Sequence, residues 1–298
     1  MTEPAVEAAT VTFMAHRNLL FTVAYEVLGS TADAEDVLQE TWLRWVGVDL
    51  EQVQEPRAYL VRITTRQALN RLRTMSRRRE TYVGPWLPEP LLTTPDVAED
   101  VERADTVSMA LMLVLETLSP TERAVFVLRE AFGFDYAEIA AAVDKTPAAV
   151  RQIAHRARQH VHARRPRQAT SPTEARSAVE SFQHALQTGD LQHLVDVLAP
   201  DVVCLADGGG VRTAARHPIV GAERVLRYVQ GVATKAAGTI EMTLTSINGD
   251  PALIAYVGGE LDGVVSIAVR EGKITGIYYV RNPEKLARIA RGVPVRLG

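Results

Sequence analysis

Four prolines stand within eleven residues of this chain, between Pro85 and Pro95, and they limit its fold more than any other feature. A proline ring lacks the amide N–H and clashes with the preceding turn, so a helix cannot run through this segment. The residue before each proline is also driven towards extended geometry. We therefore expect residues 81–105 to form an extended linker. Because apolar Trp86 and Leu87 in a stiff strip need a partner surface, this linker is expected to dock rather than act as a passive tether.

The residues before the linker, 1–80, have the pattern of a helical domain. Ser30-Thr31-Ala32-Asp33 has the spacing of a capping box, and the apolar residues after it recur every three or four positions up to Trp45. Pro56 suits the first turn of a following helix.

The residues after the linker, 106–168, predict a second helical domain. Ser119-Pro120-Thr121-Glu122 is a capping box with proline at the first helical position, and Asp135 and Thr146 offer further caps. The short turn Asp144-Lys145 separates the last two helices. Such a tight connection before a basic helix predicts a helix-turn-helix.

The remainder, residues 169–298, changes character after Ser171 and becomes rich in Val, Ile, Thr and Gly. Helices are expected first, with another at Ala222–Thr234. This order predicts an α+β domain. The expected strands are Val202–Ala206, Thr239–Ile247, Ala252–Gly258, Gly263–Arg270 and Ile274–Arg281.

The net charge of -3 conceals two strongly basic segments. Pro56–Arg79 and Lys145–Arg167 contain many arginines and no acidic residue, so each could neutralise nucleic-acid phosphates. Solvated helix faces are the alternative for either segment alone. In the helix Pro147–Ala163, the residues expected to point outward from the first turns can read base edges in a major groove. They are Arg151, Gln152, His155, Arg158 and Gln159.

Several classes of protein are excluded. The single cysteine, Cys204, rules out an internal disulfide framework and a cysteine zinc site. His184, His193 and His217 lack ligand spacing, so we expect no metal and no cofactor. No apolar run approaches the roughly 18 residues of a membrane helix, and the acidic start is not a secretory signal. A reduced cytoplasmic location is expected, with no membrane partner.

Residues 12–165 resemble the bacterial extracytoplasmic-function (ECF) sigma factors. The resemblance is carried by the segments TADAEDVLQETW at 31–42, AYLVRITTRQALN at 58–70 and LSPTERAVF at 118–126. It implies a multidomain protein with two all-α helical sigma domains, the second a helix-turn-helix. The implied partners are promoter DNA and the β and β′ subunits of core RNA polymerase.

The resemblance also implies a site for each sigma region. Asp36, Gln39, Glu40 and Trp42 would bind core polymerase. Arg62, Arg66, Asn70 and Arg73 would bind the −10 element, and Arg151, Gln152, His155, Arg156 and Arg158 the −35 element.

Three further motifs resemble the ECF subgroup with a C-terminal SnoaL-like domain, an α+β cone of the NTF2 fold. They imply an interdomain, regulatory role in cis for Trp86, Leu87, Pro88, Glu89, Pro90, Asp207, Gly208, Gly209, Gly210, Asn282 and Pro283. The subgroup often has Lys after the three glycines, where this chain has Val211. From the residues alone, the glycine run is either a loop that binds a ligand or the linker, or a sharp turn.

The sequence leaves two alternatives to a non-enzymatic sigma factor open. In the first, a SnoaL-like enzyme of cyclase or isomerase type is fused to a DNA-binding regulator, with Asp207 as general base and Tyr256 or Tyr278 assisting. In the second, the chain is an ordinary repressor or activator, which leaves the Asp36–Trp42 segment and Asn70 without a role. A small-molecule ligand of the C-terminal domain remains open in each case.

Overall fold

The computed structural model describes residues 3–79, 81–93, 108–164, 171–235, 239–292 and 294. The chain divides into two compact units: unit 1 is 1–80, 114–165 and 296–298, and unit 2 is 81–113 and 166–295. The part of the predicted linker that is described therefore belongs to unit 2. The rest of the predicted linker, residues 94–105, lies outside the described residues.

Unit 1 begins with three helices, α1 (Glu3–Leu28), α2 (Thr31–Trp45) and α3 (Pro56–Arg79), that pack on one another. The Ser30 side chain accepts the amide of Asp33 and starts α2, which confirms the predicted cap. A short 3-10 helix, Leu50–Gln52, precedes α3.

The rest of unit 1 forms the predicted helix-turn-helix. Helix α4 (Met109–Leu115) spans the boundary between the units and is followed by α5 (Pro120–Phe126) and a π-helical turn, Val127–Ala131. Helix α6 (Tyr136–Val143) is capped by Asp144, which adopts the left-handed conformation with φ 57° and allows α7 (Pro147–Arg164) to begin three residues later. Capping boxes at Ser119 and Asp135 are both formed.

Unit 2 combines helices with one mixed sheet. Helices α8 (Pro172–Thr188) and α9 (Leu191–Val197) precede β1 (Leu198–Asp207), and α10 (Ala222–Lys235) and α11 (Pro283–Ala290) complete the helical part. The other strands are β2 (Ile219–Val220), β3 (Ile240–Ile247), β4 (Asp250–Val257), β5 (Glu260–Arg270) and β6 (Lys273–Val280). The strand order is β2-β1-β6-β5-β4-β3, with β1 parallel to β6 and the other pairs antiparallel.

Two apolar clusters cover this sheet. The first packs Phe182 of α8 and Val225 of α10 against strand residues such as Val265 and Ile277. The second packs Leu87 of the linker and Leu286 of α11 with other residues of the same strands. Among the described helices, none is both long and apolar enough to cross a membrane.

Candidate functional site

Helix α7 presents a basic face to solvent. Arg151, Gln152, His155 and Arg156 are exposed, as predicted, whereas one side of the helix is buried at Val150, Ala154, Ala157 and Val161. The burial repeats every three or four residues, so the helix is held by its apolar side and its polar side stays accessible.

Arg158, the fifth predicted −35 residue, already has an acidic partner. Its Nη2 donates to Oε1 of Glu130 at 2.7 Å, and this hydrogen bond raises the pKa of Arg158. The guanidinium of Arg151 lies 5.9 Å from the ring centre of Tyr136. Sequence periodicity predicts the face of Arg158, but it cannot reveal a partner 28 residues away.

The predicted −10 residues lie along α3. Asn70 and Arg73 are exposed, and Nη1 of Arg73 donates to Oδ1 of Asn70 at 3.3 Å. The Arg62 guanidinium lies 4.7 Å from the ring centre of Tyr59. Arg66 already has a hydrogen-bond partner within unit 1: its Nη2 donates to the backbone carbonyl of Ala141 in α6 at 2.9 Å.

The acidic face of α2 is partly neutralised by α3. Nε of Arg71 donates to Oδ1 of Asp33 at 2.7 Å, and its Nη2 donates to Oδ2 of Asp36 at 2.5 Å. These contacts raise the pKa of Arg71, the Asp33 hydrogen bond contributing most. Nε2 of Gln67 donates to Oε2 of Glu40 at 2.7 Å. Asp36 and Glu40 still expose about half of their side chains, 52% and 47%.

The other two predicted polymerase-binding residues differ in environment. Gln39 is exposed. Trp42 is half-buried and meets Phe13 edge to face, with ring centres 5.4 Å apart. Gln39 is therefore the residue of this set that can be changed with least effect on packing.

The linker is held by the carboxylate of Asp207, which is fully buried at the end of β1. Oδ1 accepts the Tyr82 hydroxyl at 2.6 Å and the Gly209 amide at 3.0 Å. Oδ2 accepts the Leu87 amide at 2.9 Å and the Lys285 ammonium at 2.7 Å. Burial and then the Asp207 hydrogen bond raise the pKa of Tyr82.

Lys285 joins the same cluster from α11. Besides Asp207, its ammonium donates to the Leu87 carbonyl at 2.5 Å. It also lies 4.0 Å from the ring centre of Trp86 and 5.0 Å from that of Tyr82, within the range of cation–π attraction. One buried ion pair thus holds both the backbone and the aromatic side chains of the linker.

We call the cluster of Tyr82, Leu87, Asp207 and Lys285 the linker dock. The glycine loop, Gly208–Gly210, fits closely against it. A Cβ on Gly209, whose φ is 62°, would lie 2.4 Å from Nδ2 of Asn282, and a Cβ on Gly208 would lie 2.0 Å from the Arg212 carbonyl. Asn282 donates to the Tyr82 hydroxyl at 2.8 Å and caps α11, in which Pro283 occupies the first turn. Gly210 also has a positive φ, 74°. Val211 is 69% exposed, so the loop binds through its backbone rather than through that side chain.

Further along, the linker adds to the edge of the sheet beside β3. The Leu91 amide donates to Oδ1 of Asn248 at 3.0 Å, and the Asn248 amide donates to the Leu91 carbonyl at 2.8 Å. The Thr93 amide donates to the Ser246 carbonyl at 3.0 Å. Main-chain pairing with an exposed strand edge is a recurring mode of peptide recognition.

The predicted docking of the apolar strip is confirmed by its burial. Leu87 has 0% exposure and contacts the second apolar cluster, which also contains Met109 at the start of α4. Pro88, Glu89 and Pro90 are buried as well. The same cluster therefore holds both the linker and the residue that begins the next helix.

The geometry does not favour Asp207 as a general base. Its carboxylate accepts four donors and is sealed from solvent. The suggested helpers Tyr256 and Tyr278 pack against the cluster that contains Leu87. Cys204 is a buried member of the first apolar cluster, and burial raises the pKa of its thiol to about 12.

Sequence reasoning missed important members of the dock. Tyr82, Lys285 and Asn248 were not among the predicted site residues, although Lys285 follows the predicted Pro283 by only two residues. Asn248-Gly249 carries the Asn-Gly signal of a hairpin turn, with φ values of 54° and 79°. No local signal could have paired that turn with Leu91.

Comparison with known proteins agrees with both helical regions. The family described as Sigma-70 region 2 matches residues 12–78, and the family described as Sigma-70, region 4 matches residues 108–161. The chain is 36% identical over 290 residues to "ECF RNA polymerase sigma factor SigJ" of Mycobacterium tuberculosis, covering 92% of this chain and 91% of that protein. It is 31% identical to "Probable ECF RNA polymerase sigma factor SigI" of the same species, covering 94% and 95%.

The whole architecture also has a solved counterpart. The crystal structure of Mycobacterium tuberculosis SigJ superimposes with a TM-score of 0.77 at 32% identity, covering 96% of this chain and all of that chain. Two sigma-70 helical regions define the class of protein. The chain belongs to the ECF RNA polymerase sigma factors. The predicted fold, helical sigma domains followed by an NTF2-like α+β domain, is confirmed.

Proposed function

We propose that this alternative sigma factor is controlled in cis, through docking of residues 82–93 on its own C-terminal unit. The observation that carries the proposal is the buried Asp207–Lys285 pair, which holds the linker by side-chain and backbone hydrogen bonds. If the linker left, the Asp207 carboxylate and the Lys285 ammonium would lose their hydrogen bonds to Tyr82 and Leu87, so the docked and undocked states differ in energy.

Docking would limit the chain available between the two sigma regions. Once residues 82–93 and Met109 are held on unit 2, only about fifteen residues join them, spanning at most roughly 50 Å. A sigma factor reads two promoter elements separated along the DNA, so the length of free linker would set promoter competence.

We assign core polymerase binding to the face of α2 that contains Asp36, Gln39, Glu40 and Trp42. Its support is an acidic surface that remains about half exposed although Arg71 neutralises part of it. The matching partner is a basic surface on the β′ or β subunit.

Contact with the −10 element is assigned to α3, with Asn70 and Arg73 exposed for an opened strand and Arg62 beside the Tyr59 ring. Arg66 is also exposed and would join them by releasing the Ala141 carbonyl, to which its Nη2 donates.

Contact with the −35 element is assigned to α7. Arg151 and Gln152 are exposed in its first turns, the position from which a recognition helix reaches base edges. His155 and Arg156 follow on the exposed side. Arg158 would exchange Glu130 for a phosphate.

This function is regulatory rather than catalytic and places the protein in the cytoplasm with RNA polymerase. It is tested by run-off transcription with sigma-free core polymerase and full-length protein. Trp86→Ala and Asp207→Ala should change transcription in the same direction, and together they should be less than additive, because both release one dock. Val211→Ala is the matched control, because that side chain is exposed and takes no part in docking. Strictly additive effects would contradict control by docking.

A further inference from the structure

Unit 2 contains a cavity of about 840 Å³ that the linker does not occupy. Its size falls within the range of sites for drug-sized molecules, about 300–1,000 Å³. Most of its wall is apolar and comes from α8, α10 and the sheet, including Phe182, Leu186, Val229, Ile240, Met242 and Val265.

One part of the wall is polar and organised around Arg281. Nε and Nη2 of Arg281 donate to the two carboxylate oxygens of Asp262 at 3.0 and 2.6 Å, and Nη1 donates to the Thr213 carbonyl. Burial alone would raise the pKa of Asp262, but hydrogen bonds from Arg281 and Tyr279 outweigh it and hold the pKa below its ordinary value. These bonds use three of the five guanidinium N–H groups, so two remain for an acceptor in the cavity.

A buried hydroxyl lies behind the same wall. The Tyr228 oxygen is sealed from solvent and, within the described residues, has no hydrogen-bond partner, although the Ala215 backbone approaches it. Because a molecule the size of water does not reach this oxygen, the ring of Tyr228 rather than its hydroxyl lines the cavity.

The charged residues of the wall favour an anion. Arg212, Arg227, Lys235 and Arg281 outnumber Glu260 and Asp262, even with Arg227 paired to Glu223 outside the wall. All of these except Arg281 and Asp262 are exposed and therefore lie where the cavity meets solvent.

We propose that this cavity binds an amphipathic organic carboxylate, its apolar body among the aliphatic side chains and its carboxylate on Arg281. The carboxylate accepts from the two N–H groups that Arg281 has left, and the apolar body explains the size and lining of the remaining wall. A neutral molecule of the same length would leave the cationic entrance unused.

The polar part of the cavity shares its backbone with the linker dock. The amides of Arg281 and Asn282 both donate to the Asp207 carbonyl, at 2.7 and 2.9 Å. Thr213, whose carbonyl Arg281 binds, closes the loop that begins with Asp207. Ligand binding would therefore alter linker docking, a consequence that rests on the proposed control in cis.

The site is tested first by binding to the full-length protein. The aromatic anion 1-anilinonaphthalene-8-sulfonate serves as the fluorescent probe, and decanoate and decanol compete for it. Decanoate should displace the probe at least tenfold more effectively than decanol. Equal displacement, or none, would overturn the carboxylate proposal.

Two variants locate the binding. Gly231 borders the cavity, and a Cβ there would meet no atom within 4 Å, so Gly231→Phe has room for its Cβ and introduces a large side chain beside the cavity. It should weaken decanoate binding at least tenfold, whereas Gly231→Ala, which changes the same helix position, should not. Full binding by Gly231→Phe with unchanged circular dichroism would place the ligand elsewhere and refute the site.

The proposed effect of ligand binding on linker docking is tested by hydrogen exchange of linker residues 82–93 with and without decanoate. A change of at least threefold in wild type, absent in Gly231→Phe, supports coupling, whereas unchanged exchange at saturation overturns it. Failure of the transcription test with Trp86 and Asp207 variants would reject control by docking, while displacement by decanoate would stand independently.

Discussion

Asp207→Asn should release the linker without unfolding unit 2. The substitution keeps the shape of the side chain but removes the charge that pairs with Lys285, whose side chain is only 12% exposed. Breaking a buried ion pair on one side costs about 3–5 kcal/mol. The lower end applies, because the Leu87 carbonyl and the Trp86 ring still contact the ammonium.

A loss of about 3 kcal/mol corresponds to a roughly hundredfold larger population of the open linker, since each 1.4 kcal/mol is a factor of ten. The direct measurement is hydrogen exchange at the Leu87 amide, which donates to Asp207. The Val264 amide serves as the control, because β5 is paired on both sides and reports unfolding of the sheet.

Lys285→Met separates the charge effect from the packing effect. It leaves Asp207 with the Tyr82, Leu87 and Gly209 donors, so we expect a cost of about 2 kcal/mol. The double variant should cost about 2 kcal/mol less than the sum of the single variants. Unchanged Leu87 exchange in Asp207→Asn, or equal acceleration at Val264, would refute a locally opening dock.

Three further predictions concern the DNA-binding helix α7, the exposed face of α2 and the hydroxyl of Tyr82. Arg151→Ala and Gln152→Ala should each weaken −35 binding by roughly 1–3 kcal/mol and relax base preference, as measured by titration with matched and random duplexes; equal losses on both duplexes would make them phosphate contacts. Gln39→Arg should lower affinity for core polymerase in a pull-down while Tm is unchanged, because it leaves the Arg71 contacts of α2 intact; undiminished binding would remove this face from the interface. Because the pKa of Tyr82 is raised above its ordinary 10, its contribution to stability is constant below pH 10 and falls as the pH rises further, so the Tm advantage of wild type over Tyr82→Phe should shrink between pH 9 and 11. A constant difference in Tm across that range would contradict this assignment.

Local features could be predicted from the sequence because their causes are local. The caps predicted at Ser30, Ser119, Asp135 and Thr146 all form, since a side-chain oxygen and an amide three residues away need no distant partner. The strand Ile219–Val220 was missed because two residues carry no periodicity, and it exists only through pairing with β1.

Contacts between distant residues could not be predicted in this way. The prolines indicate that residues 81–93 are extended and docked, and Leu87 is indeed buried. They do not indicate that Lys285, nearly two hundred residues later, lies on Trp86. Likewise, the helical pattern predicts that Asp36 and Glu40 are exposed, but it does not predict that Arg71 of another helix lies beside them.

The free energy that holds the linker on unit 2 and the free energy that a bound ligand can supply are of similar size. Control by a small molecule is therefore physically feasible. A linker already stiffened by prolines loses little conformational entropy on docking, and a covalent tether raises its effective concentration to roughly millimolar. Opening is therefore governed by the few kcal/mol held in the cluster around Asp207. A ligand at a hundred times its Kd supplies about 2.7 kcal/mol to the state it prefers. Because Arg281 borders the cavity and its amide binds the Asp207 carbonyl, an amount of that order is enough to shift the linker between its two states.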